Sequence, residues 1–151
     1  MTDIVDSAKR SIMMAGIRSA HTRPEIVIRK ALHRRGFRYR NQGGGLPGRP
    51  DIVLSRHKAV VFVHGCFWHR HAGCGKAANP KTREVFWQAK FAANVERDQR
   101  NIAALISLGW RVAVVWECAT SARTVETTVE ALGEWLVAGA KTLVLPLNSD
   151  L

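Results

Sequence analysis

The chain reads as a single α/β domain with a mixed central β-sheet flanked by helices, and three observations carry that reading. Two apolar runs, Ile52-Val53-Leu54 and Ala59 to His64, are separated by the turn-forming Ser55-Arg56-His57-Lys58 and read as a buried hairpin. Stretches with 3.6-residue apolar spacing stand before and after that hairpin. A further apolar run, Trp110 to Glu117, follows the longer helical stretch as a buried strand. At 151 residues the chain is about one domain long, and residues 1–151 are taken as one unit with a single core.

Taken in order, residues 1–21 carry Met13-Met14, Ile17, Arg18 and His21 without proline and are expected to form an N-terminal arm or short helix. Thr22 is a candidate N-cap, Pro24 suits a first turn, and Glu25 follows three residues after Thr22 as in a capping box. Ile28, Ala31, Leu32 and Arg35 share one side of this helix, with Arg29, Lys30, His33 and Arg34 elsewhere and Gly36 as a stop. Phe37 to Arg40 alternates like a short strand, and Asn41 to Gly48 is a flexible loop. The hairpin begins near Pro50, which brings Asp51 close to His64 across the antiparallel pair.

Gly73, Gly75, Asn79 and Pro80 deny regular structure to the following residues, so 65–81 is a long loop that needs a staple or a function. A helix from Thr82 or Arg83 to Leu108, closed by Gly109, has Phe91, Val95, Ile102, Leu105 and Ile106 on one stripe. Asp98 falls on the same stripe, where a carboxylate needs a cationic or hydrogen-bonding partner. Residues 124–138 suggest a third helix. Residues 142–147 read as a strand or extended tail within a C-terminal tail at 139–151.

Lys and Arg total 23 against 12 Asp and Glu, a formal charge of +11 that suits an extended polyanion. Nucleic acid leads a membrane surface, since no long uncharged apolar segment exists. The first twenty residues also lack a signal peptide's apolar block, and a cytoplasmic protein is expected.

Three cysteines cannot all pair with one another, and two of them stand in a stretch that also holds three of the six histidines. Cys66, His71 and Cys74, with Cys118 at the end of a later strand, would make a closed Cys3His site for structural Zn2+; the alternative is three unrelated thiols. His64 and His69 are left over, and Asp98 and Glu25 are available as acidic partners that would orient an imidazole. Glu25 serves equally well as the capping partner of Thr22. Asp51 opens a strand although strands disfavour Asp, and phosphodiester hydrolysis needs a hard oxygen ligand for Mg2+. Phe67-Trp68, in a loop of a basic chain, would suit wedging between base pairs, with Met14 as an adaptable third group.

Four blocks in order closely resemble very short patch repair endonucleases: Leu46 to Asp51, His64 to His69, Asn94 to Asp98, and Gly109 to Cys118. The resemblance covers roughly residues 9–137. It implies a restriction-endonuclease-like fold and nicking of DNA on the 5′ side of the thymine in a T:G mismatch left by deamination of 5-methylcytosine. It further implies that Asp51 and the main-chain carbonyl of Val63 hold Mg2+, that His69 is the general base supported by Glu25, and that His64 and Asp98 form a second catalytic pair. Cys66, His71, Cys74 and Cys118 would bind zinc, and Phe67, Trp68 and Met14 would intercalate. Where restriction-type nucleases carry acid-x-Lys after the metal-binding Asp, this chain has Phe62-Val63-His64, a departure the family shares. The expected partners are mismatched duplex DNA and other mismatch-repair proteins, with no membrane and a monomeric state. Two rivals remain: a zinc-stapled DNA-binding module without catalysis, and a restriction-type enzyme cutting both strands.

Overall fold

The computed structural model describes residues 22–41, 43 and 45–147, so the arm expected over 1–21, with Met14, lies outside the described residues. Helix α1, Arg23–Arg34, starts where the Thr22 hydroxyl accepts the Glu25 N–H at 3.4 Å, with Pro24 in the first turn. It ends at Gly36, whose φ of +91° lets Gly36 N–H reach the His33 carbonyl and Phe37 N–H the Leu32 carbonyl. Ile28, Ala31 and Leu32 are buried as their spacing requires. Arg29 is buried as well, at 7% exposure, which corrects its placement away from the packed side. The reason is Glu25, one turn earlier and 2% exposed, whose carboxylate lies 3.9 Å from the Arg29 guanidinium.

Five strands lie side by side in chain order: β1, Arg40–Asn41; β2, Ile52–Leu54; β3, Ala59–His64; β4, Arg111–Trp116; and β5, Thr142–Leu145. The β1–β2 and β2–β3 pairs are antiparallel, and β3–β4 and β4–β5 are parallel, so the sheet is mixed. Helix α2, Glu84–Ser107, connects β3 to β4, and α3, Val125–Ala138, connects β4 to β5. Period-two alternation along β3 supplies both faces of the core. Ala59, Val61 and Val63 pack with Ile28 and Leu32 of α1 and Leu132 and Leu136 of α3; Val60 and Phe62 pack with Ile102 and Leu105 of α2.

Two segments depart from the sequence reading or complete it. Of Phe37 to Arg40, only Arg40 is in a strand; Phe37 and Tyr39 reach the α1 and α3 core from backbone without a ladder, so their alternation reflects packing alone. Residues 142–145 form a true strand rather than an extended tail. Among the described residues no helix is long and apolar enough to cross a membrane.

Candidate active site and metal centre

An open cleft of about 800 Å³ lies at the C-terminal end of β3, lined among others by Glu25, Asp51, Val63, His64, His69 and Asp98. Asp51 enters it by register. Ile52 pairs with Val61, so the residue before β2 lies beside the end of β3, and Asp51 Oδ2 accepts the Val63 N–H at 2.7 Å. Burial, opposed by that hydrogen bond and reinforced by the neighbouring Glu25 carboxylate, holds the Asp51 carboxyl well above the ordinary range.

Asp98 occupies the packed stripe of α2, one turn after the buried Asn94 and one turn before Ile102. Its Oδ2 sits 2.5 Å from Nδ1 of His69, which supplies the partner that a carboxylate on that stripe requires. His64 is stacked on His69 with ring centroids 4.0 Å apart and planes within 4°. Burial first, then His69, pushes His64 down to about 3, so it is a neutral imidazole at neutral pH. Asp98 hydrogen-bonds His69, the ligand atoms of His64, His69 and Asp98 lie within 4.8 Å of one another, and Glu25 adjoins Asp51. The loop path lays His69 between His64 and α2.

Cys66, His71, Cys74 and Cys118 offer four ligand atoms within 4.8 Å of one another, a group that could hold a metal ion. Because β3 and β4 are parallel, the segments after both strands leave the sheet at the same edge, and Cys118 in the turn Glu117–Thr120 meets Cys66. His71 Nδ1 lies 3.6 Å from Cys66 Sγ and 3.5 Å from Cys118 Sγ. The His71 ring lies flat on Trp116, with centroids 4.4 Å apart. Burial is the largest cause of the upward displacement of the Cys66 and Cys118 thiols, and a bound cation acts in the opposite direction.

Comparison with known proteins adds to this geometry. The family model for DNA mismatch endonuclease Vsr matches residues 2–76. The DNA mismatch endonuclease Vsr of Escherichia coli K12 is 45% identical over 139 residues, 90% of this chain and 88% of that protein. Two proteins named as type II nicking enzymes are also similar: V.NmeAIP of Neisseria meningitidis, 49% identical over 78% of this chain and 84% of its own length, and V.XorIIP of Xanthomonas oryzae, 50% identical over 80% and 88%. The chain belongs to the Vsr DNA mismatch endonuclease family. It is an endodeoxyribonuclease, DNA is its substrate, and the catalysis-free binding module is set aside.

In this Vsr-family chain Phe67 and Trp68 are half-buried rather than free in solvent. They meet edge to face with ring centroids 5.1 Å apart, and both pack on Trp87 of α2, with Phe91 against Phe67. Sequence reasoning missed Trp87, Asn94 and Glu117. Asn94 donates to the Trp68 carbonyl at 3.1 Å, and Glu117 accepts the Cys66 N–H at 3.3 Å. Asn94 carried the same signal as Asp98, a polar residue on an apolar stripe. Arg49, Lys90 and Arg97 add positive charge to the cleft walls.

Proposed function

We propose that the protein nicks one strand of duplex DNA on the 5′ side of the thymine in a T:G mismatch, with Mg2+ held by Asp51 and the Val63 carbonyl and Zn2+ held by Cys66, His71, Cys74 and Cys118. The observation that carries this reading is that a hydrogen-bonded His69–Asp98 pair and the Asp51 carboxylate share one cleft in a Vsr-family chain. With Asp98 on Nδ1, the His69 tautomer leaves Nε2 as the basic atom that takes a proton from the attacking water. His64, neutral and stacked on His69, fixes the plane of that ring.

Both metals suit the residues present. Asp51 and Glu25 are buried carboxylates next to a main-chain oxygen position, a hard donor set, and a divalent cation would relieve the burial that raises Asp51. Bound there, Mg2+ would supply charge neutralisation on the scissile phosphate. For the other site, Zn–S of about 2.3 Å and Zn–N of about 2.0–2.1 Å set a tetrahedral S···N edge of about 3.6 Å. The two S···N separations, 3.6 and 3.5 Å, support that choice. Phe67 and Trp68, with Met14, enter the base stack beside the mismatch. The enzyme works in the cytoplasm, where other repair proteins complete what the nick begins.

End-labelled T:G and T:A duplexes with Mg2+ test the reading. A single nick 5′ to the mismatched thymine is expected, and Asp51→Ala should slow it by about a thousandfold while the fold is kept. Cleavage of both strands of an unmismatched plasmid would favour the restriction-type reading instead.

A further inference from the structure

Arg70 lies between the His69 base and the thiol-cluster residue His71, and no role in the proposed chemistry accounts for it. Its φ of +59° is a left-handed conformation that costs a non-glycine side chain free energy. That conformation sends consecutive side chains three ways: His69 toward Asp98, His71 toward the thiols, and Arg70 back under the aromatic cluster. There the guanidinium donates from Nη1 to the carbonyls of Phe67 at 3.1 Å and Ala78 at 3.3 Å. Nη2 donates to the Ala77 carbonyl and to Asn79 Oδ1, both at 2.7 Å. The same group sits 4.0 Å from the centre of the Phe91 ring and 5.5 Å from that of Phe67.

One planar cation thus joins the main chain of Phe67, the far limb of the loop at 77–79, and α2 through Phe91. We infer that Arg70 is a positioning residue that braces Phe67 and Trp68 so that they hold their place when pushed into the base stack. Prying apart stacked bases costs free energy, and a side chain on an unsupported loop would yield before the duplex does. Lysine at position 70 would keep the charge but has no planar fork to serve four acceptors while stacking on a ring. The inference rests on the wedge assignment of Phe67 and Trp68.

The experiment compares wild type, Arg70→Lys, Asn79→Ala and Trp68→Ala. For each, the ratio of nicking rates on T:G and T:A duplexes is measured, together with bound zinc and the fluorescence of a 2-aminopurine placed beside the mismatch, which reports unstacking. Arg70→Lys should keep its zinc yet lose about tenfold in the T:G to T:A ratio, with a matching loss of 2-aminopurine signal, as expected when hydrogen bonds to a charged group are removed. Asn79→Ala, on an exposed part of the loop, removes a single acceptor and should move both readouts in the same direction by less; it serves also if Arg70→Lys does not fold. An unchanged ratio in both brace variants, while Trp68→Ala loses discrimination, overturns the brace and leaves the wedge. An unchanged ratio in Trp68→Ala overturns the wedge and the brace with it. Loss of zinc from Arg70→Lys would assign Arg70 to the metal loop and also overturn the inference.

Discussion

Arg29 places a buried positive charge beside Glu25, a carboxylate that lines the cleft. Its guanidinium approaches Glu25 at 3.9 Å, and Glu25 in turn adjoins Asp51, so a buried cation stands beside two buried carboxylates. Arg29→Met keeps most of the packing stem and removes the charge, leaving carboxylates that water barely reaches. Thermal or urea unfolding should show a loss of about 3 kcal/mol, the usual result of stripping one partner from a buried ionic group. Added Mg2+ should restore part of it, because a ligand that binds only the folded state raises stability by mass action. An unchanged midpoint would mean that Arg29 does not neutralise this site. None of this was legible in the sequence. Within a basic amphipathic helix, Arg29 reads as solvated alongside Lys30, His33 and Arg34, and only the burial of Glu25 reveals otherwise.

At the scale of elements, α2 carries a carboxylate on its packing face. Phe91, Asn94, Asp98, Ile102 and Leu105 recur at helical spacing, so Asp98 stands where an apolar residue would continue the stripe. This was readable beforehand, because a carboxylate on such a face demands a partner wherever the helix packs. The partner's identity was not readable. It depends on how the loop at 65–81 folds back, and that path brings together thiols and an imidazole that stand far apart in the chain. Asp98→Leu should therefore change the unfolding temperature little, since leucine continues the apolar stripe while the His69 ring it releases is partly open to water. Nicking should nevertheless fall by about 10²- to 10⁴-fold, the range for losing a positioned acid–base group, while DNA binding persists. A clear drop in Tm with nicking retained would make Asp98 a structural residue and remove it from the base assembly.

Across the whole molecule, the parallel pairing of β3 and β4 is what allows one loop to serve several tasks. The two strands end at the same sheet edge, so Cys118 lies with Cys66, His71 and Cys74 in a group that could hold a metal ion, and Phe67, Trp68 and His69 belong to the loop between them. The sequence placed Cys118 at a strand end and so anticipated the quartet. The parallel pairing that brings it there depends on α2 crossing the sheet, which periodicity alone does not specify. Both core clusters are built mainly from strands and helices, so weakening the staple should loosen the loop before it unfolds the sheet. Cys118→Ser should bind less zinc and unfold earlier, because the binding energy of a structural zinc is folding energy of about 10 kcal/mol or more in small domains. Its far-ultraviolet circular dichroism at low temperature should remain that of an α/β fold. Nicking and T:G discrimination should fall together, since base and aromatic pair lie on the same stapled loop. Metal analysis finding about one zinc per chain in the variant would misassign the fourth ligand. Loss of zinc with discrimination intact would show that Phe67 and Trp68 are held by α2 and Arg70 alone, without help from the metal.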